Sequence, residues 1–244
     1  MRMIFISQIG APGRYDPARY RHLPGGDDEV FWFRQMLASQ GLRDLELCGV
    51  QAAHGEPLPS PDDGDLFVLG GSYHSTNEQN PWQIAILRWL ERMHHRPLFG
   101  ICGGHQLMAF SHGATIAPIE SGDLAGSLPV HLAGFHKNHE SGAAQAHPVF
   151  GGKPGLRLFH WANQEMVQDQ PAGTRVLAHR TTVPFAALAY NHGWISTQFH
   201  PESTHQAMQA SWLPDDPVRA ARYRPLQKPH RLFANFVKWA EQAC

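Results

Sequence analysis

The sequence predicts an α/β fold in which helices cover both faces of a mostly parallel, doubly wound central sheet. Short apolar runs at 66–69 and 97–101 have no helical period, which is typical of strands buried on both faces. They alternate with helical patterns at 29–39 and 81–93, and such alternation favours parallel strands joined by crossover helices. We therefore expect one large central sheet.

The composition of the chain already argues against several classes of function. The 244 residues are enough for one large domain, and we predict a single domain over 1–244. A net charge of −1 without a long basic run argues against nucleic acid and anionic membranes as partners. The three cysteines, at 48, 102 and 244, form no disulfide framework, and we expect a cytoplasmic protein. The sequence contains no run of about 18 apolar residues, so it predicts no membrane-spanning helix.

The remaining elements follow from periodicity and turn residues. The region 115–130 reads as turns and strands of a sheet edge, 127–132 is expected to pair with a later strand, and 131–148 is expected to be surface. An irregular insertion is predicted at about 205–228, before the last helix. Further strands are predicted at 3–9, 45–50, 156–161, 173–178, 185–190 and 194–199, and the last helix at 229–242.

Cys102 is the candidate nucleophile. It follows a predicted buried strand and precedes a helical pattern, and Gly100, Gly103 and Gly104 surround it. Glycines permit the sharp strand-to-helix turn that presents a side chain at the mouth of a cleft. The N–H groups at the start of the helix favour the thiolate. The alternative is a small buried hydrophobe, but a packing cysteine has no need of flanking glycines.

A second glycine pair follows the strand at 66–69. Gly70 and Gly71 lie at the carboxyl end of that strand, which is where parallel sheets bind ligands. The backbone N–H of Gly71 is therefore a candidate oxyanion-hole donor. Taken alone, the pair is equally well a turn by which the chain leaves the sheet.

His200 and Glu202 are the candidate partners of the thiol. They are two residues apart, so an extended backbone places both side chains on one face. Glu202 can then fix the tautomer and orientation of the imidazole, as a base that serves a thiol nucleophile requires. The alternative is a surface turn around Pro201.

The chain contains 17 histidines, which raises the question of a metal site. The densest group is His131, His136, His139 and Glu140. No cysteine accompanies it, and Gly134 and Gly142 bracket it in a predicted loop. We therefore expect surface histidines and no metal.

Three separated segments resemble class I glutamine amidotransferases of the Cys-His-Glu triad type. Residues 100–106 are similar to the nucleophile motif of that family, 198–202 to its histidine–glutamate motif, and 69–71 to its oxyanion strand. Residues 147–150 and 159–161 are most similar to stand-alone domains of the GMP-synthetase-glutaminase-like kind, and the Asn235-Phe236 pair lies where domains of this family commonly have an Asn-Phe pair in their last helix. The similarity covers roughly 1–204 and 229–242, and it implies a flavodoxin-like sheet.

The resemblance implies a catalytic triad of Cys102, His200 and Glu202, and an oxyanion hole made by Gly71 and Gly103. It places Gln106 near the substrate and implies no cofactor. Two departures stand out. Gly103 occupies a position that is often Leu in the family, and residues 162–165 read Ala-Asn-Gln-Glu where relatives often have His-Gly-Asp.

The sequence is compatible with three functions. The resemblance implies hydrolysis of a γ-carboxamide through a cysteine thioester, with ammonia supplied to a separate synthase or acceptor-binding partner. The first alternative is a stand-alone γ-glutamyl hydrolase or transferase that acts on a γ-glutamyl amide or peptide. The second is a non-catalytic regulatory relative, because fold alone does not fix function. The intact set of three groups opposes this last reading.

Overall fold

The computed structural model describes residues 1–11, 13–118, 133–137, 139–140, 147–151, 157–161, 165–180, 182–226 and 230–243. Its strands are β1 Arg2–Ser7, β2 Glu46–Gln51, β3 Leu66–Leu69, β4 Leu98–Ile101, β5 Ile116–Pro118, β6 Ala133–Lys137, β7 His139–Glu140, β8 Arg157–Trp161, β9 Glu165–Val167, β10 Thr174–Arg180, β11 Val183–Tyr190 and β12 Trp194–Thr197. Its α-helices are α1 Glu29–Ser39, α2 Pro81–Leu90, α3 Gly103–Ser111, α4 His205–Trp212, α5 Pro217–Ala220 and α6 Leu232–Ala243.

The central sheet has the strand order β2-β1-β3-β4-β12-β11-β10-β7 among the described residues. The pairs β1–β2, β1–β3, β3–β4 and β4–β12 are parallel, and the pairs towards the β7 edge are antiparallel. The first five strands follow the order of doubly wound, flavodoxin-like sheets. The predicted fold class is therefore confirmed.

Helices cover both faces of this sheet because the side chains of its strands alternate between two cores. In β1, Met3 and Phe5 pack in one core with Phe33 of α1 and residues of α6. Ile4 and Ile6 belong to the other core, which contains Trp89 of α2 and residues of α3. The fully apolar character of these strands follows from burial on both sides.

The last helix closes the first core and ties it to an earlier segment. Phe233 and Phe236 of α6 both contact the ring of Phe99 on β4. The Asn235 side-chain amide donates to the Val149 carbonyl at 3.0 Å. Two segments that resemble the family in sequence are thus in direct contact.

The prediction of an irregular segment at 205–228 is wrong, because α4 and α5 lie within it. Thr204 caps α4 by accepting from the Ala207 N–H, and Asp216 caps α5 by accepting from the Arg219 N–H. Asp216 followed by Pro217 is a helix-start pattern that the sequence analysis missed.

Other boundaries differ more modestly. Helix α2 ends at Leu90 instead of 93, because the N–H groups of Arg92 and Met93 turn back to carbonyls three residues earlier. Part of 131–148, expected to be surface loop, forms β6 and β7, and β6 pairs with β8. The segment 127–132, expected to pair with a later strand, lies outside the described residues. Across the described chain, the helices are too short or too polar to cross a membrane.

His105, the histidine of α3, makes the free energy of unfolding depend on pH. His105 is fully buried with its Nδ1 2.8 Å from Ser196 Oγ, and burial lowers its pKa to about 3. The unfolded chain therefore takes up a proton below about pH 6.5 that the folded chain refuses. Stability falls as the pH falls through this window, by roughly 2 kcal/mol at pH 5 from this group.

Urea unfolding of the wild type and of His105→Asn, at pH 8 and at pH 5, checks this expectation. The difference between the two proteins isolates His105 from every other titrating group. An equal loss of unfolding free energy in both proteins on acidification would contradict it.

Candidate active site

Cys102 lies at the turn between β4 and α3. Its φ of +48° and ψ of −102° are rarely adopted by residues other than glycine, and such a conformation costs ~1–3 kcal/mol. The Cys102 N–H donates to the Thr197 carbonyl at 2.7 Å, and the Gln106 N–H donates to the Cys102 carbonyl at 3.0 Å. The residue lines a cavity at the carboxyl edge of the sheet, as a nucleophile elbow requires.

The elbow packs at backbone distance against the loop that follows β3. A Cβ on Gly104 would lie 2.3 Å from the Leu69 carbonyl oxygen, and one on Gly103 would lie 2.6 Å from Ser72 Cβ. Neither position has room for a side chain without movement of the backbone. The contact with Ser72 gives a physical reason for a glycine at position 103.

His200 and Glu202 follow β12 and are joined by a short hydrogen bond. His200 Nδ1 lies 2.6 Å from Glu202 Oε1, and both residues are buried. The His200 N–H also donates to the Phe159 carbonyl at 2.8 Å, which fixes the backbone. Burial alone would lower the pKa of His200, but the charges of Glu202 and Cys102, and hydrogen bonds to both, hold that pKa well above its ordinary value.

Gly71 lies next to both His200 and Cys102. A Cβ on Gly71 would lie 3.1 Å from His200 Cε1 and 3.7 Å from Cys102 Cβ. The thiol and the imidazole therefore approach each other beside the β3 loop, and the charge of Cys102 helps to raise the pKa of His200. The structure brings together residues that are about a hundred positions apart in the chain.

The two predicted oxyanion donors border the same space. Within the described residues, the N–H groups of Gly71 and Gly103 have no backbone acceptor. Gly103 follows Cys102 directly, and Gly71 faces it across the loop. Unpaired backbone donors beside a nucleophile are able to bind a developing oxyanion.

Gln106 is buried and does not line the cavity. Its Nε2 donates to the Glu165 carbonyl at 2.8 Å and to Gln198 Oε1 at 3.3 Å. Gln198 Nε2 in turn lies 3.6 Å from Cys102 Sγ. Sequence reasoning singled out Gln106 but missed Gln198, although it is two residues before His200 and on the same face of an extended chain.

Glu29 is the other functional candidate that sequence reasoning missed. It begins α1, is only 8% exposed, and lines the cavity with Cys102 and His200. Its Oε2 accepts a 2.6 Å hydrogen bond from Ser7 Oγ. Burial raises the pKa of Glu29 to about 8, and the charge of Glu202 adds to that effect. Its position after β1, at the edge where such sheets bind ligands, was a usable signal.

The predicted absence of a metal site concerns residues that are only partly described. Among the described residues, no group of three or more His, Cys, Asp or Glu side chains has an arrangement that holds a metal ion. His131 of the histidine group considered in the sequence lies outside the described part of the chain.

A cysteine at a strand–helix elbow, beside a histidine held by a carboxylate, is the arrangement of a thiol-dependent acyl-transfer enzyme. The family model "Glutamine amidotransferase class-I" matches residues 43–220. The chain belongs to the class I glutamine amidotransferase family, and the resemblance read from the sequence is confirmed.

Relatives of similar length include one of the subunits of a glutamine-hydrolysing GMP synthase from Ignicoccus hospitalis. It is 29% identical over 170 residues, which are 67% of this chain and 81% of the relative. The glutamine amidotransferase-like protein chry6 of Gibberella zeae is 26% identical over 84% of this chain and 85% of its own. The GMP synthase of Thermomicrobium roseum is 31% identical over 109 residues, but they are only 18% of its length.

Solved structures agree on the fold. The chain known as SMU.1228c superposes with a TM-score of 0.70 at 20% identity, covering 99% of this chain and 100% of the other. A glutamine amidotransferase from Thermotoga maritima gives a TM-score of 0.67 at 17% identity, covering 99% and 92%. At these identities the similarity establishes the fold alone.

The variant Gly71→Ala tests whether activity depends on the close approach of the Cys102 thiol to the His200 imidazole. In Gly71→Ala, the added Cβ lies between His200 and Cys102 and displaces them, so we expect kcat/KM to fall about 100-fold. Because no backbone clash accompanies it, the free energy of unfolding should change little.

The matched control is Gly113→Ala, at the other end of α3. That glycine has a φ of +83° and open space around its Cα, so alanine there costs stability, about 1 kcal/mol, and leaves activity alone. Steady-state kinetics and urea unfolding separate the two effects. Full activity in Gly71→Ala would contradict the geometry described above.

Proposed function

We propose that this chain hydrolyses the side-chain amide of glutamine through a thioester on Cys102, with His200 and Glu202 completing the triad. The observation that carries the proposal is that the His200 ring, bonded through Nδ1 to Glu202, lies beside Cys102 at the carboxyl edge of the sheet. Membership of the class I glutamine amidotransferase family supports it.

The first step forms the covalent intermediate. The Cys102 thiolate attacks the γ-carbonyl carbon, and the carbonyl oxygen becomes an oxyanion that the Gly71 and Gly103 N–H groups receive. One such donor is typically worth ~3 kcal/mol of the barrier. The elbow contributes by holding the sulfur and the Gly103 N–H rigidly beside each other.

The second group of steps moves protons through His200. Its raised pKa supports an imidazolium at neutral pH, which donates a proton to the departing nitrogen as the C–N bond breaks. The neutral ring then takes a proton from water, which attacks the thioester and releases glutamate. Glu202 accepts from Nδ1 throughout and keeps Nε2 directed at the reacting atoms.

Gln106 is proposed to bind the amino-acid end of the substrate. It lies one helical turn after Cys102, and its side chain belongs to the hydrogen-bonded series that reaches the sulfur through Gln198.

The recipient of the ammonia is proposed to be a separate synthase subunit. The support is that similar proteins of comparable length include one that is itself a component of a GMP synthase. We place the reaction in the cytoplasm, where a thiol nucleophile stays reduced. Glutamine-dependent amination of an acceptor that appears only when the synthase is added would support the partnership, and failure of every neighbouring gene product to accept ammonia would remove it.

Labelling with a glutamine-like diazo-ketone tests the proposed chemistry. We expect one equivalent to attach to Cys102 and to abolish glutaminase activity, because that thiol faces the imidazole. Peptide mass spectrometry locates the label. His200→Asn should slow labelling about 100-fold or more, since the ring no longer activates the sulfur.

Cys48 provides the internal control. It is half-buried on β2, and its sulfur lies 3.3 Å from Arg2 Nε, far from the triad in the sheet order. Cys48→Ser should label at the wild-type rate, whereas Cys102→Ala should not label. Modification of Cys48 in place of Cys102 would disprove the assignment.

A further inference from the structure

The side chain of Gln198 reaches the sulfur of Cys102 from within the protein. Its Nε2 donates to Cys102 Sγ at 3.6 Å. Gln198 is only 1% exposed, and it does not line the cavity that Cys102 shares with His200. A group in this position is able to contact the nucleophile without contacting a substrate in the cavity.

The backbone around Gln198 fixes the place from which this side chain starts. The Gln198 N–H donates to the Ala186 carbonyl of β11 at 2.9 Å. The carbonyl of the preceding residue, Thr197, accepts from the Cys102 N–H at 2.7 Å. The turn that presents the thiol is therefore bonded directly to the residue before Gln198, and both side chains start from connected backbone.

The orientation of the Gln198 amide follows from its neighbour Gln106. The Glu165 backbone carbonyl can only accept, so the Gln106 amide presents its NH₂ group to that oxygen, at 2.8 Å. The same nitrogen carries a second hydrogen, which it donates to Gln198 Oε1 at 3.3 Å. Since its oxygen is occupied in this way, Gln198 directs its own NH₂ group at the sulfur.

Glu165 is itself held by the loop that follows β3. Its Oε2 accepts from Ser75 Oγ at 2.6 Å, and its Oε1 accepts from Asn77 Nδ2 at 3.4 Å. Asn77 Nδ2 also donates to the Ile116 carbonyl at 2.8 Å. A hydrogen-bonded series thus runs from this loop through Glu165 and the two glutamines to the nucleophile. Because each member is bonded to the next, the donor at the sulfur is held in place before any substrate binds.

A hydrogen-bond donor beside a sulfur favours the charged form of that sulfur. Hydrogen bonds to an anion are about twice as strong as those between neutral groups, so an N–H stabilises the thiolate more than the thiol. The other titratable groups that line the cavity with Cys102 include His200, Glu202 and Glu29. The two carboxyl groups oppose another negative charge when they are ionised, whereas the imidazolium favours it. The Gln198 amide adds to the favourable side without carrying a charge.

We propose that Gln198 is a further catalytic residue of this reaction, whose amide N–H stabilises the Cys102 thiolate before it attacks the substrate. The inference rests on the proposed function, because that function makes Cys102 the nucleophile. The bond is strongest while the sulfur is charged, and it weakens as the sulfur becomes the neutral thioester. Gln106 and Glu165 are positioning residues for it, because they set the direction of the Gln198 amide.

The pH dependence of alkylation by iodoacetamide tests this role. Only the thiolate reacts, so the rate at Cys102, followed on its own peptide by mass spectrometry, reports the thiolate. Gln198→Met keeps the length of the side chain and removes the donor. We expect the acidic midpoint of the rate profile to rise by about one pH unit.

The height of the same profile separates this role from a structural one. Without the N–H, the thiolate is more basic and therefore more nucleophilic, with a Brønsted slope of about 0.5. In Gln198→Met the rate at high pH should thus rise about threefold, while the rate well below the midpoint falls about threefold. Loss of packing alone would lower the rate at high pH and leave the midpoint in place.

A second variant and a matched control complete the experiment. Gln106→Met removes the donor that orients Gln198, so we expect a smaller midpoint shift in the same direction. The control is Gln40→Met, because Gln40 is a buried glutamine whose Nε2 also donates to a sulfur, that of Met36, at 3.0 Å. Gln40 directly follows the last residue of α1, whereas the cavity residue Glu29 begins that helix. Gln40→Met should lower the free energy of unfolding and keep the wild-type midpoint.

The outcomes separate this inference from the proposed function. A wild-type midpoint in folded Gln198→Met, or an equal shift in Gln40→Met, overturns the inference while glutamine hydrolysis continues. If Gln198→Met does not fold, Gln106→Met decides, and a wild-type midpoint there overturns the inference. If neither iodoacetamide nor the diazo-ketone modifies Cys102 in the wild type, the proposed function fails and the inference fails with it.

Discussion

The site depends on one close contact, the packing of the cysteine elbow against the loop that leaves β3. Gly104 approaches the Leu69 carbonyl so closely that a Cβ would lie 2.3 Å from it, and the Gly104 N–H donates to the Gly70 carbonyl at 3.1 Å. This contact holds Cys102 in a backbone conformation that costs ~1–3 kcal/mol when unsupported. It also sets Gly71 beside the sulfur. The positions of the proposed nucleophile, Cys102, and of the proposed oxyanion donor, Gly71, thus follow from the same backbone packing.

The parallel sheet supplies the rest of the arrangement. The strands β1, β3, β4 and β12 all end at one edge, so residues that follow them converge although they are distant in sequence. Glu29, Cys102 and His200 meet there for this reason. The segments 17–20 and α4 contribute lining residues to the cavity at that edge.

Much of the fold, and the grouping of Cys102 with His200 and Glu202, was predictable from the sequence because the signals were local. Glycines around Cys102 and the spacing of His200 and Glu202 reflect constraints that act within a few residues. Glu29 was missed because a charged residue in a first helical turn ordinarily faces solvent, whereas Glu29 is buried and accepts a hydrogen bond from Ser7, which is distant in sequence. Helix α4 was missed because its apolar residues pack against Phe159 and Tyr223 in a small separate cluster. Long-range packing of that kind leaves no local pattern.

The most direct test of the central claim is intact-mass spectrometry of the chain after a millisecond acid quench of its reaction with glutamine. The account predicts a fraction of protein heavier by one glutamyl group, with the added mass on the peptide that contains Cys102. It also predicts that Glu202→Gln lowers the rate at which this adduct forms. Glutamine turnover without any adduct on Cys102, or an adduct on another residue, would contradict the account.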